Sequence, residues 1–360
     1  MISKVKEKEF RATFEIKGKA LYPKLDVLFA MMREILMESK LGDEKRLKEI
    51  LSMLKTRLQT SFLSAGHTTA VLRSLSYTSP IARFRDITSG IGFYEVVKDL
   101  EENFEERKEL LIENLKKIAG RIFRKENLML SYTSAQEGLA VLEKAVPQFA
   151  DSLHTGEKES HGQCIIHCKK RNEGFRTSSK VQYVARTGNF IDGGAEYTGA
   201  LQILKVILSY DYLWQNVRVK GGAYGCMSGF NRIGEGYLVS YRDPNLEKTM
   251  EIYEGVVDYL KNFDIDDRDM NKFIIGTISN LDRPMNPAAK GSRSLNLYMN
   301  RITEEMIRRE REQILDAQQE DIRGLATVLE AVLAAGELCV IGSEEKIEEA
   351  KEMFGEIRTL

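Results

Sequence analysis

At 360 residues the chain has room for two domains of ordinary size, each able to bury its own core. Charged residues make up 30% and hydrophobic ones 42%, and 53 Lys and Arg nearly cancel 54 Asp and Glu to leave a net charge of -1. That balance gives no one-signed field to draw nucleic acid or an acidic membrane. Residues 1–9 are charged and lack the apolar core of an export signal, and no later run approaches membrane-spanning length, so a soluble cytoplasmic chain is expected.

In chain order, residues 10–16 alternate as a strand, and a helix follows over about 21–36 with Leu25, Leu28, Phe29, Met32 and Leu36 on its apolar side. The charged stretch 93–123 carries Val97, Leu100, Phe104, Leu111, Leu115, Ile118 and Ile122 on one stripe, which predicts a long core-facing helix, part of a helical hairpin. A strand at 127–131 and a helix to about 149 come next, with Ser134 as the capping residue between them. The polar, glycine-containing run 153–163 reads as a domain boundary.

Beyond that boundary the pattern starts again. Residues 181–188 form a second opening strand and 197–213 a helix with Ala200, Ile203, Leu204 and Ile207 inward. Leu72-Arg73-Ser74-Leu75 is echoed by Ser292-Arg293-Ser294-Leu295. The strand–helix pair at 127–149 is echoed by 337–341 and a helix ending near 354, capped by Ser343. The common order of these weak echoes predicts a duplicated α+β architecture: two related α/β-sandwich domains, 1–153 and 164–360, with antiparallel-rich sheets and helices packed on them. The second carries an added block, 215–260, with a glycine-rich hairpin and a helix bearing Met250, Tyr253, Val256, Val257 and Leu260.

Metal-ligand types gather at His161, Cys164, His167 and Cys168. A strand over 164–168 would send alternate side chains to opposite faces, so no metal site is assigned in this chain. Cys226 and Cys339 read as small core residues.

The richest stretch runs from Asn216 to Cys226, with Arg218, Lys220, Gly221, Gly222, Ala223 and Tyr224 in sequence. Glycine lets another chain approach closely, a guanidinium offers planar donors, and a phenol can donate to a carbonyl or oxyanion. Taken alone it also reads as a hairpin with glycines for twist and a tyrosine for packing. Neither G-x-G-x-x-G nor a phosphate-binding P-loop occurs.

The run R-V-K-G-G-A-Y at 218–224 resembles the C-terminal signature of the pitrilysin/insulinase clan of zinc peptidases, in particular the presequence-protease and falcilysin-like branch. Asp243-Pro244-Asn245 and the Leu281-Asp282-Arg283-Pro284 segment suit the same branch. The resemblance implies a zinc-dependent endopeptidase for unfolded peptides, of which this chain is the C-terminal half, with Met1 as an added start. Zinc would be bound through H-x-x-E-H on an N-terminal half, in the same polypeptide or a partner subunit. No such motif follows any of His67, His154, His161 or His167, so this chain alone would be inactive. By the same resemblance Tyr224 stabilises the transition state, Arg218 and Tyr224 bind substrate, and Gly221 and Gly222 shape the binding wall. A non-catalytic peptide-binding subunit and a purely structural relative are the competing readings.

Overall fold

The computed structural model describes residues 2–6, 9–156 and 166–360. They gather into two compact units, each discontinuous in sequence: Met1–Leu54, Val96–Ile165 and Pro284–Ile302 form one, and Lys55–Glu95, Ile166–Arg283 and Thr303–Leu360 the other.

The first unit is mainly helical. Strands β1 (Ile2–Lys6) and β2 (Glu9–Ala12) pair antiparallel. The helices Leu25–Met37 and Glu137–Asp151 close a small core of Leu25, Phe29, Ala145, Phe149 and Leu153, with the Phe29 and Phe149 rings 5.2 Å apart.

The second unit is built on a six-stranded mixed sheet. Its strands are β3 (Glu173–Thr177), β4 (Tyr183–Asn189), β5 (Gly225–Phe230), β6 (Glu235–Tyr241), β7 (Glu337–Ser343) and β8 (Glu356–Thr359), in the order β5-β6-β4-β7-β3-β8. Neighbours from β5 to β7 run antiparallel, whereas β3 is parallel to both β7 and β8. The period of two sends Val184, Leu238 and Val340 to one face. Tyr183, Ala185, Val239, Cys339 and Ile341 go to the other. Both faces are covered, so β7 is a near-continuous apolar run.

Against the first face lie the helices Ala200–Tyr210 and Ala326–Ala334. The first carries its stripe because Ile203, Leu204, Ile207 and Leu208 recur at helical spacing; each is fully buried, worth roughly 1.5–3 kcal/mol apiece. The second face is covered by the helix Gly66–Leu75 and by Phe62, Tyr77, Ile91 and Tyr94. This placement separates the observed units from the consecutive segments 1–153 and 164–360 expected from the sequence. Residues 55–95 belong with the later sheet, because its second face would otherwise stand bare.

Several boundaries move. The first-copy strand stops at Ala12, and 127–131 lies outside any strand, since a 3-10 turn at Lys125–Asn127 leads into irregular chain. The long helix is two, Ile91–Glu102 and Phe104–Ile122, interrupted at Asn103. Ser134 bonds to its neighbour's carbonyl rather than capping, and Gln136 precedes the helix instead. Ser343 does occupy its expected cap position, without a side-chain bond. His161 and Cys164 lie outside the described residues, while 166–170, including Cys168, is irregular rather than strand. Cys226 and Cys339 are buried in the core as expected. Among the described residues no helix is long and apolar enough to cross a membrane.

Candidate functional site

The chain reaches the site through one wide turn. Trp214–Val219 is π-helical, and Lys220 N donates to Gln215 O at 3.0 Å, five residues back. Such wide turns are uncommon and recur at functional sites. Leu213 and Val217 anchor it in the core, leaving Trp214 and Arg218, four apart, on one side. The Arg218 guanidinium lies 3.9 Å from the centre of the Trp214 ring.

Two glycines then reverse the chain, each for its own reason. A Cβ at Gly221 would meet Val217 O at 2.4 Å, a backbone atom that cannot swing away. Gly222 has φ +82°, open to glycine and strained for a side chain. Its N–H donates to Arg218 O at 2.9 Å, closing the turn as αL glycines close helices. From 24 residues on, Asn245 Nδ2 donates to Gly221 O at 2.6 Å. Asn245 is itself fixed by Asp243, which accepts from Asn245 N at 2.9 Å and from Thr249 Oγ1 at 2.7 Å. Burial pushes the Asp243 carboxyl above the usual range, against these hydrogen bonds.

Tyr224 enters at the start of β5, where its N–H reaches Tyr241 O at 3.1 Å and Arg242 O at 3.3 Å across the end of β6. Its ring is 66% exposed, 5.8 Å from the Arg218 guanidinium and 5.8 Å edge-on from Tyr241. Tyr241 in turn meets His67 at 4.8 Å and Tyr183 at 5.6 Å. His67 is pulled below its ordinary pKa by burial. Arg218 and Tyr224 are thus brought together. Arg218 stands on the wide turn before the hairpin, not on its edge, and only Tyr224 and the residues after it follow the expected strand.

Among the described residues neither the Arg218 guanidinium nor the Tyr224 hydroxyl has a hydrogen-bond or ion-pair partner, so a planar cation and a phenol stand side by side with their donors unspent. Sequence reasoning missed Trp214, Tyr241 and Arg242. The four-residue spacing of Trp214 and Arg218 was the available signal for the first. The pairing of Tyr224 with the end of β6 needs the fold.

The family models agree with this architecture. Residues 172–344 match the model described as the PreP C-terminal domain, and residues 2–100 match the model for the segment associated with subfamily C of the M16 peptidases. The chain belongs to this subfamily of M16 peptidases. It is 36% identical to Protein HypA of Clostridium perfringens over 357 residues, covering 99% of this chain and 36% of that one. It is 30% identical to Presequence protease 1, chloroplastic/mitochondrial, of Arabidopsis thaliana over 336 residues, covering 93% and 31% respectively. The chain therefore spans about a third of the length of these curated relatives.

Two solved structures share the fold. A peptidase M16 inactive domain from Pseudomonas fluorescens superposes with a TM-score of 0.55 at 13% identity, over 89% of this chain and 75% of that one. Pitrilysin gives 0.54 at 10% identity, over 88% and 33%. The mixed α/β fold is that of M16 peptidase domains.

Zinc is the metal of M16 peptidases, and the side chains described here do not fit it. Among the described residues no three of His, Cys, Asp and Glu gather as ligands, and the sequence contains no H-x-x-E-H. Burial pushes the Cys226 thiol up to about 12 and Cys339 well above its ordinary value, the reverse of what a metal-binding thiolate needs.

Proposed function

We propose that this chain supplies the substrate-gripping and oxyanion-stabilising surface of a metalloendopeptidase that degrades unfolded peptides, and that it hydrolyses nothing alone. The observation that carries the reading is the adjacency of Arg218 and Tyr224 with their hydrogen-bonding groups unspent. Arg218 would hold a substrate carbonyl or carboxylate before reaction. Tyr224 would donate its phenolic proton as a hydrogen bond to the oxygen on which negative charge develops, so its contribution belongs to the transition state. Gly221 and Gly222 serve the same wall by setting the turn that holds Arg218. The zinc site would lie on an N-terminal half, in the same polypeptide or a partner subunit. The match of this chain to about a third of each curated relative supports that division.

The test is reconstitution with the zinc-bearing half and steady-state assay of one unstructured peptide, after circular dichroism confirms that each variant folds. Tyr224→Phe should lower turnover by about two to three powers of ten with little change in peptide affinity. Arg218→Ala should also weaken binding. Wild-type turnover by the Tyr224→Phe pair would defeat the oxyanion role, and zinc bound stoichiometrically by this chain with hydrolysis of its own would defeat the half-enzyme reading.

A further inference from the structure

Three cations flank Tyr224 in the chain or across the start of β5, and none has a carboxylate partner among the described residues; only the Arg218 guanidinium lies against its ring, at 5.8 Å. Arg218 stacks on Trp214. Lys220, exposed two residues on, reaches only the neutral Asn216 Oδ1, at 3.3 Å. Arg242 touches Tyr224 through its backbone, lies 5.5 Å from the Tyr241 ring, and has the neutral Tyr183 hydroxyl as its polar neighbour.

Lys220 and Arg242 are exposed, but Arg218 is half-buried, and elsewhere in the same unit half-buried arginines are matched: Arg186 with Glu254, Arg232 with Glu310, Arg176 with Glu348. The acids nearest in sequence to the three cations are already engaged. Asp243 is fully buried and accepts from Thr249 and Asn245, and Asp211 accepts from the Tyr259 hydroxyl at 2.7 Å. Arg242 moreover holds φ +49°, a left-handed conformation that an arginine adopts only where the surroundings impose it. An unbalanced positive cluster beside an open phenol is a place for an anion. The planar, stacked guanidinium selects an anion that can be gripped by two parallel hydrogen bonds.

We infer that Arg218, Lys220 and Arg242 form a carboxylate subsite next to Tyr224, so that bound peptides carry a carboxylate at this point, either an acidic side chain or a free C-terminus. The inference rests on the peptide-binding reading above and adds its selectivity. Trp214 is the positioning residue: its ring fixes the plane in which the Arg218 donors are presented.

The chain holds one tryptophan, directly against Arg218, so its emission reports the subsite without any assay of hydrolysis. The probes are four short Gly/Ser/Ala peptides, with a central Glu or Gln and with a free or amidated C-terminus, titrated into this chain. Peptides bearing the recognised carboxylate should shift Trp214 emission and bind about tenfold tighter than their amide counterparts. The Glu/Gln arm and the amidation arm tell the two sources apart, and added salt should erase the difference. Arg242→Gln with Lys220→Gln should remove the preference, so that the carboxylate and amide forms of each peptide bind equally.

Equal affinity for all four peptides, or binding of none, overturns the subsite. If the reconstituted pair turns over neutral and acidic peptides alike and Tyr224→Phe is still crippled, the subsite fails and the catalytic reading stands. If the carboxylate preference is found while Tyr224→Phe turns over as wild type, the reverse holds.

Discussion

Arg73 and Arg218 belong to the same unit, and each has an aromatic ring beside its guanidinium, Phe175 at 5.7 Å for one and Trp214 at 3.9 Å for the other. Their charges are handled in opposite ways. Arg73 is 1% exposed and spends its donors inside the protein: Nε and Nη2 go to Glu173 at 2.6 and 2.8 Å and Nη1 goes to Asp86 at 2.7 Å. Burial opposes its charge, and the Glu173 hydrogen bonds and neighbouring carboxylates outweigh that and raise its pKa. Arg218, partly exposed, spends none. A buried cation must be matched or it unfolds its surroundings, whereas an unmatched one survives only near water. Matching therefore marks Arg73 as architecture, tying the helix Gly66–Leu75 to β3, whereas Arg218 keeps its donors unspent, as the proposed substrate role requires.

The largest expected effect lies on the architectural side. Arg73→Met takes the buried cation from Asp86 and Glu173, leaving Asp86 with Arg83 at 2.9 Å and Glu173 with Arg171 and Arg358 only at 3.7 Å, and should cost about 3–5 kcal/mol in urea unfolding. A loss under about 1 kcal/mol would mean that the pairing contributes little and the contrast with Arg218 is false.

Acid should act through the same cluster. Burial alone would raise the Glu173 carboxyl, but the Arg73 hydrogen bond and charge reverse this and hold it below the ordinary glutamate range. A carboxyl lowered in the folded state stabilises fully above its unfolded value of about 4.3 and loses that contribution as pH falls from there through the lowered folded value. Wild-type stability should therefore decline below about pH 4.3, and Glu173→Gln, already weakened, should decline less steeply there. Parallel slopes would remove Glu173 from the account.

At the other end of the unit the glycines set the next scale. Gly222→Ala places a side chain at φ +82° and should cost about 1–2 kcal/mol, with a change in Trp214 emission as the turn relaxes. Unchanged stability and emission would show that the turn does not need its left-handed residue.

These contrasts explain which features the sequence carries. β4, β7 and the helix Ala200–Tyr210 are legible because their apolar periods are local and uninterrupted, and tertiary packing confirms what the pattern states. The Arg218–Tyr224 run is legible as a motif. Its geometry is not, because the wide turn is held by Asn245 and the strand start by Tyr241, contacts made by segments later in the chain. Arg73 shows the same limit more sharply: its sequence neighbours suggest only a repeat echo, while its partner Glu173 is 100 residues away. The division into units fails to follow the polar run at 153–163 for that reason too, since residues 55–95 pack on a sheet made from the later half.

The smallest effect is the most telling for the comparison. Arg218→Ala removes a cation stacked on an aromatic ring at a partly solvated site, an interaction worth about 0.5–1 kcal/mol, and it leaves no buried carboxylate stranded. Its loss in urea unfolding should stay within that range while Trp214 emission changes through loss of the stacked cation. The same substitution at Arg73 carries a cost several times greater, although the residue type is identical. If Arg218→Ala instead costs more than about 2 kcal/mol, the guanidinium is part of the scaffold rather than held ready beside Tyr224, because an arginine kept for a ligand adds little to the fold that presents it.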